Sequence, residues 1–253
     1  MTKALLITGG ASGIGAETAR RAATRGYRIA VNYRSRDAQA KAVVADIVAK
    51  GGQAIAVPGD MAREADILRM FEESERALGP ITHLVNSAGA NGRPGRVDEY
   101  DAAVLANLFA VNVTGLMLCC REAARRMSTR HGGKGGAIVN VSSMAATIGG
   151  RLGSSAYAAS KGAVDAFTKG FAREVAAEGI RVNSLRPGMV MSEMTEQRLK
   201  GDAAFRARIE ASIPMHRVGE VHEMAEAILW FLSDEASFIT GAMLDAAGGG
   251  YII

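Results

Sequence analysis

The sequence predicts an α/β fold: a doubly wound parallel sheet of seven strands, covered by helices in three αβα layers and forming a single domain. Three observations predict it. Short apolar runs alternate with longer amphipathic stretches from end to end, the rhythm of repeated βαβ units. The short runs are apolar enough to be buried on both faces of a sheet. Neither a Pro/Ser-rich linker nor an internal repeat divides the 253 residues.

The elements follow in order. A first strand at residues 4–8 ends in a glycine cluster that turns the chain into an amphipathic helix over 14–25. Strands at 28–33 and 53–58 are followed by helical patterns over 38–50 and 64–78. The fourth strand, 83–86, precedes an apolar helical stretch over 102–126, and the fifth, 137–142, precedes a long helix over 157–178. A sixth strand at 181–185 stops at Pro187-Gly188. Residues 191–213 then break the rhythm with charged helix formers ahead of Pro214, the pattern of an insertion that folds over the sheet's ligand edge as a lid. A helix over 221–232 and a seventh strand at 243–245 complete the chain.

Composition narrows the function classes. With 48% hydrophobic and 22% charged residues the chain can bury a core, and disorder is excluded. The 30 Gly against 5 Pro have no collagen-like period, so they mark turns and close approaches of backbone. Gly132, Gly133, Gly135 and Gly136 read as a flexible loop, and Gly248, Gly249 and Gly250 as a close to the last strand. The formal charge is +4 and the pI about 9.2, yet acids and bases interleave. Arg121, Arg125 and Arg126 read as a solvated helix face, so no nucleic-acid partner is expected. Cys119 and Cys120 are helical neighbours pointing in different directions, which argues against a disulfide. Neither they nor His83, His131, His216 and His222 have ligand spacing, so no metal is expected. No signal-peptide pattern precedes the first strand, and no apolar run is read as approaching the ~20 residues of a bilayer span. A cytoplasmic chain without a membrane partner is the expectation.

The first glycine cluster carries chemistry. Strand 4–8 runs straight into Thr8-Gly9-Gly10-Ala11-Ser12-Gly13-Ile14-Gly15. Glycines let backbone approach a phosphate, and the helix that follows presents unpaired N–H groups and its positive end to that anion. Placed between a first strand and a first helix, Gly9, Ala11, Ser12, Gly13, Ile14 and Gly15 predict a Rossmann-type dinucleotide site. At the end of the second strand an NAD binder usually places an acid on the ribose hydroxyls. Here Asn32-Tyr33-Arg34-Ser35-Arg36 precedes the first acid, Asp37. A guanidinium pairs with a 2′-phosphate that a carboxylate would repel, so NADP(H) is favoured over NAD(H), with Arg34 on the phosphate. The alternative is that both arginines are solvated loop charges and Asp37 caps the next helix.

A second constellation is Tyr157-Ala158-Ala159-Ser160-Lys161 at the start of the long helix. Tyr157 and Lys161 at i and i+4 share a helix face. A free phenol titrates near pH ~10. A cation about 4 Å away, at an effective dielectric of ~20, is worth roughly 4 kcal/mol. That would lower the phenol's pKa by about three and make Tyr157 a usable acid/base. Upstream, strand 137–142 ends in Ser142-Ser143 at the carboxyl edge, where α/β sheets bind ligands.

The T-G-x-x-x-G-x-G spacing resembles the short-chain dehydrogenase/reductase family, and later motifs extend the resemblance over essentially the whole chain. It implies that Asp60-Met61 lies beside the adenine. Asn86-Ser87-Ala88-Gly89 is similar to the family's N-N-A-G, with Ser87 for the second Asn; Asn86, Ala88 and Gly89 are then cofactor residues, Gly89 on the adenosine side. Asn112 matches the catalytic asparagine, implied to hold a water that connects the lysine to solvent. Ser143, rather than Ser142, matches the serine on the substrate oxygen. Tyr157 is implied as proton donor in reduction and base in oxidation. Lys161 is implied both to lower its pKa and to bind the nicotinamide ribose. Pro187-Gly188-Met189-Val190-Met191-Ser192 resembles P-G-x-x-x-T around the carboxamide, with Ser192 for Thr, which implicates Pro187, Gly188, Val190 and Ser192.

The implied reaction is hydride transfer between nicotinamide C4 and a carbonyl or secondary alcohol, with a 3-oxoacyl or small-ketone reductase favoured. One alternative is a glucose-type sugar 1-dehydrogenase, with polar groups such as Asn91 and Arg93 at the pocket mouth. The other is a dinucleotide-binding sensor without chemistry, which the complete set of Asn112, Ser143, Tyr157 and Lys161 opposes. Residues 90–98 and 191–213 are expected to wall the pocket, and Met144, Met189, Met191 and Met194 either form an adaptable apolar wall or fill core gaps. The resemblance implies a homotetramer built on residues 102–126 and 157–178 and on residues 221–253, whose tail Tyr251-Ile252-Ile253 suits burial.

Overall fold

A computed structural model of the chain describes residues 3–250, apart from the side chains of Glu193, Met194, Gln197 and Arg198. The tail at 251–253 and the Met194 side chain therefore lie outside the described residues. Seven parallel strands form the central sheet: β1 (Ala4–Thr8), β2 (Arg28–Tyr33), β3 (Ala54–Pro58), β4 (His83–Asn86), β5 (Gly136–Val141), β6 (Ile180–Pro187) and, last in the chain, β9 (Met243–Ala246). Their spatial order is β3-β2-β1-β4-β5-β6-β9. Strand order reverses between β1 and β4, and that crevice at the carboxyl edge is where a doubly wound sheet receives a ligand.

Helices cover both faces. Leu5, Ile7, Val31, Val139 and Leu185 point to one side, against α1 (Gly13–Thr24), α2 (Asp37–Ala49) and α10 (Val221–Leu232). Leu6, Leu84, Ile138 and Val182 point to the other, against α3 (Glu64–Leu78), α5 (Leu116–Met127) and α7 (Ser155–Val175). The period-2 alternation of two apolar sets within one strand is what buries a parallel sheet on both faces. The inner face of α1 is alanine (Ala16, Ala19 and Ala22), which lets it lie close to α10.

Four findings differ from the sequence expectations. The helix expected over 102–126 is α4 (Ala102–Phe109), a π-helical turn at Ala110–Gly115, and α5. Val111, Asn112, Val113, Thr114 and Gly115 are poor helix formers, so the signal was present in the sequence. A Cβ on Gly115 would lie 2.2 Å from the Met61 carbonyl oxygen, so only glycine passes that loop.

By length and composition, moreover, the stretch Ala102–Met127 is apolar enough to cross a membrane, contrary to the reading that no run approaches that length. Leu108, Val111, Leu116, Cys119, Cys120, Ala123 and Met127 are buried within the fold.

The third difference concerns the glycines after α5, which are a packing device and not a flexible loop. A Cβ would meet the Met127 carbonyl oxygen at 2.3 Å from Gly133, that of Gly179 at 2.3 Å from Gly135, and that of Thr82 at 2.0 Å from Gly136. Only Gly132 faces open space.

Finally, Arg121, Arg125 and Arg126 are not merely solvated: all three converge on Glu122, whose side chain is 3% exposed. A carboxylate that buried needs such pairing.

Residues 191–213 contribute α8 (Glu193–Gly201) and α9 (Ala203–Ser212). Two short strands outside the expected set, β7 (Val190–Met191) and β8 (Gly219–Glu220), pair and tie the two ends of this excursion together. Met189, Leu199, Phe205, Ile209, Ile213 and Val218 give it a small core of its own. Met189 thus fills a core gap, while Met191 is half-buried.

Candidate active site

At the β1–α1 turn, glycine is required by contact. A Cβ on Gly9 would lie 2.8 Å from the Ala88 Cα, and one on Gly15 would lie 2.5 Å from the Gly9 carbonyl oxygen. Gly13, at φ +54°, has only the Ser192 Cβ near it, at 3.9 Å. Buried Asn32 holds the turn: its Oδ1 accepts from Gly9 N–H (3.2 Å), and its Nδ2 donates to the Gly59 carbonyl (3.1 Å). The N-cap Ser12 makes no side-chain cap, and no acid lies in the first turn of α1. Its free N–H groups and positive end border a cleft of ≈ 280 Å³ lined by Ala11, Ser12, Gly13, Met191 and Ser192, among others. Ile14 packs toward the core behind it. This anion cradle, which a Cβ would fill, fits a dinucleotide pyrophosphate.

Around the end of β2, Arg34 is exposed and has no hydrogen-bond or ion-pair partner among the described residues. Asp37, the first residue of α2, is engaged: it accepts from the Tyr33 hydroxyl (2.6 Å) and pairs with Lys41 (2.8 Å). These bonds hold its carboxyl below the usual range. Asp60 is half-buried, its carboxylate accepting from Ala62 N–H (2.9 Å). The Met61 side chain turns into the core, with its sulfur 3.7 Å from that of Cys119.

The strand ends between the two halves form a polar row. Asn86 pairs in register with Thr8 and with Asn140. Thr8 Oγ1 accepts from Ser87 N–H and Ala88 N–H, both at 3.1 Å, which fixes the turn that follows β4. Asn86 Nδ2 donates to Asn140 Oδ1 (2.9 Å), and Asn140 Nδ2 to Thr168 on α7 (2.9 Å). Asn86 Oδ1 is buried without a hydrogen-bond partner among the described residues. Gly89, expected on the adenosine side, instead lies beside Asn112 and Lys161: a Cβ there would be 3.6 Å from both Asn112 Oδ1 and Lys161 Nζ. The Thr8-anchored turn leads the chain across the sheet toward α7.

Tyr157 and Lys161 start α7, and Ser143 follows β5. The half-buried Tyr157 phenol lies close enough to the Ser143 hydroxyl for that group to act on it. Burial raises the phenol's pKa, and the Ser143 hydroxyl opposes it. Burial thus sets the net direction of the phenol's shift, opposite to the lowering expected from Lys161 alone. Lys161 Nζ is 5.8 Å from the Tyr157 ring centroid and donates to the Val141 carbonyl (2.8 Å). Burial pushes Lys161 down to about 8, opposed by Asp165 one turn along. Asn112 is delivered by the π turn, 1% exposed. Its Nδ2 donates to the Ala90 carbonyl (2.8 Å) and to Ser160 Oγ (3.0 Å), and its Oδ1 accepts from Ala90 N–H (2.7 Å). Both amide protons are spent, so Asn112 chiefly pins the loop after β4. Ser160, which the sequence reading passed over, bridges Asn112 and the Tyr157 carbonyl (2.7 Å). Its place inside Y-x-x-S-K was the available signal.

The remaining side follows β6. Pro187 O accepts from Met144 N–H (3.0 Å), joining this turn to the Ser143 turn. A Cβ on Gly188 would meet that of Ala247 at 2.8 Å, so close packing explains this glycine. Val190 is buried in β7. Ser192 N–H donates to Thr195 Oγ1 (3.0 Å), and that hydroxyl donates to the Val190 carbonyl (2.5 Å). Thr195 is a second residue missed, a local hydroxyl with no motif of its own.

Residues 9–251 match the family model described as Enoyl-(Acyl carrier protein) reductase. The uncharacterized oxidoreductase YgfF of Escherichia coli (strain K12) is 43% identical over 244 residues, 96% of this chain and 98% of that protein. The 3-oxoacyl-[acyl-carrier-protein] reductase of Homo sapiens is 38% identical, covering 98% of each. A solved short-chain dehydrogenase/reductase from Serratia marcescens BCRC 10948 superimposes with a TM-score of 0.90 at 31% identity, over 98% of this chain and 97% of that one. With its seven-stranded parallel sheet, glycine turn and Tyr157–Lys161 helix, the chain belongs to the short-chain dehydrogenase/reductase family, oxidoreductases that act on CH–OH groups with NAD(P).

Proposed function

We propose that the protein is an NADP(H)-dependent reductase of 3-oxoacyl thioesters or other small ketones, with Tyr157 as its acid/base. The observation that carries the reading is the Tyr157 phenol facing Ser143, with buried Lys161 one turn along the same helix at the carboxyl edge. Relatives named 3-oxoacyl-[acyl-carrier-protein] reductase favour the substrate class.

When bound, the nicotinamide supplies or accepts hydride at C4. Gly9, Ala11, Ser12, Gly13, Ile14 and Gly15 hold the pyrophosphate, Asp60 and the Ala88 turn flank the adenosine, and Lys161 takes the nicotinamide ribose. Pro187, Val190 and Ser192 border the carboxamide. Ser143 and Tyr157 donate to the substrate oxygen where charge develops. In reduction Tyr157 delivers its proton to that oxygen, and in oxidation it removes one. Lys161 is charged below about pH 8 and favours the phenolate that remains. Helices α8 and α9 act as the lid that excludes water.

Arg34 and Asp37 support NADP(H): the carboxylate that would repel a 2′-phosphate is committed to Tyr33 and Lys41, and Arg34 has no partner among the described residues. A homotetramer is supported by exposed apolar groups on the two expected contact faces, Val104 and Phe109 on α4 and Trp230, Phe238 and Leu244 around α10 and β9. Sedimentation at micromolar concentration tests it, and a monomer would refute it.

The deciding experiment assays an acetoacetyl thioester, small ketones and sugars with NADPH and with NADH. Turnover of the thioester or ketones, preferring NADPH, is expected; Tyr157→Phe loses at least about a hundredfold in kcat while NADPH affinity is kept. Retained turnover in that variant would refute Tyr157, and equal use of both cofactors would refute Arg34.

A further inference from the structure

The catalytic helix α7 lacks a cap of its own. Ser154 occupies the N-cap position but makes no side-chain cap, although the first N–H groups of a helix need partners. The partner comes from elsewhere in the chain. The Tyr100 hydroxyl accepts from Ala156 N–H (3.3 Å) and shares a hydrogen bond with Ser155 Oγ (2.7 Å). The next residue is Tyr157.

Tyr100 is itself well anchored. It follows the 3₁₀ turn Val97–Glu99 and precedes Asp101, whose carboxylate caps α4 through Val104 N–H (3.0 Å). The loop from Ala90 to Tyr100 is therefore fastened at three points: to Asn112 at its start, to Gly153 in the middle (Gly95 N–H to Gly153 O, 3.0 Å) and to α7 at its end. Tyr100 and Asp101, neighbours in the chain, thus cap two helices, α7 with Tyr157 and Lys161 and α4 on the way to Asn112.

We propose that Tyr100 is a positioning residue for the reaction: its hydroxyl caps α7 from outside and holds the Tyr157 turn against Ser143. This rests on the reading of Tyr157 as acid/base. Tyr157 lies in the first helical turn, where the positive helix end favours a phenolate. Fraying that turn draws the phenol away from Ser143 and from the helix end, both of which act to lower its pKa.

The test is Tyr100→Phe, which keeps the ring, alongside Ser155→Ala, the double variant and Tyr157→Phe, with an acetoacetyl thioester and NADPH. Tyr100→Phe lowers kcat about fivefold to tenfold, as for one lost hydrogen bond. It leaves KM for NADPH within about twofold, since among the described residues the Tyr100 hydroxyl bonds to α7 and not to the phosphate cradle. The pH–rate limb that Tyr157→Phe abolishes moves to higher pH, and hydrogen exchange speeds at Ala156 and Tyr157. Ser155→Ala acts in the same direction, and the double variant loses less than the two effects multiplied. A wild-type kcat and pH limb, unchanged exchange, or a loss of kcat in step with NADPH affinity and melting temperature would each overturn it. An active Tyr157→Phe sinks the acid/base reading itself; an inactive one beside a wild-type Tyr100→Phe sinks only the positioning role.

Discussion

The two edges of the sheet bury titratable side chains by the same means and to opposite effect. At the amino edge, His83 begins β4, with Nδ1 2.8 Å from Thr82 Oγ1 and its ring edge-on to Tyr27 at 5.1 Å. Burial, reinforced by the Lys3 and Arg181 cations, pushes it down to about 3, so it is neutral at pH 7. At the carboxyl edge, burial pushes Lys161 down to about 8, and it stays charged. A lysine starts about four higher than a histidine, and the Val141 carbonyl and Asp165 oppose its desolvation. Depressions border both edges, of ≈ 320 Å³ beside Lys3, Arg25 and Tyr27 and ≈ 280 Å³ at the glycine turn. Size does not distinguish them. Chemistry does, since only the carboxyl edge joins free helix N–H groups to a charge and a phenol.

The sharpest break of this comparison is Lys161→Met. It removes the charge, and about 10²–10⁴ in kcat is expected to go with it. Melting temperature should hold or rise, because an apolar chain replaces a buried ion. A large loss of stability would mean that Lys161 is structural, like His83.

Next comes the acid limb of stability. Below pH 6.5 the unfolded chain takes a proton that folded His83 refuses, so stability falls as pH drops from 6.5 toward 3. The full difference is worth on the order of 5 kcal/mol. Urea titrations of wild type and His83→Gln between pH 7 and 4 should converge as the pH falls; parallel curves would place the proton elsewhere.

A smaller effect lies at the alkaline end. Between about pH 8 and 10.5 the unfolded chain keeps a proton on Lys161 that the folded chain releases, so this group's contribution to stability rises with pH. Subtracting the Lys161→Met profile isolates it, and a flat difference would show that the lysine keeps its proton.

The smallest expected change tests the scaffold between the edges. Gly115→Ala forces a methyl onto the Met61 carbonyl and should cost about 1–3 kcal/mol, with kcat falling as Asn112 shifts. Unaltered melting would mean that the 60–62 turn yields.

Much of this was legible in the chain. Strand ends fell within two residues of their expected places, because an apolar run bounded by glycine or proline has few other uses. Tyr157 and Lys161 were legible as candidates because one helix places them locally, and the family resemblance singled out Ser143 at a strand end. Ser160, Thr195 and Tyr100 escaped because their partners lie on other segments or carry no motif. The π turn escaped because the apolar pattern runs through it.

Order along the chain therefore determined the alternation of strands and helices, the glycine turn and the candidates for the reacting groups. These depend on periodicity and on backbone sterics, which act over a few residues. Tertiary structure alone decided what each polar group touches: that Lys161 turns to Val141, that Asn112 spends its amide on Ala90, and that Gly89 sits beside Asn112 and Lys161. Those outcomes depend on burial and on hydrogen-bond partners brought together across the sheet, and no local spacing encodes them.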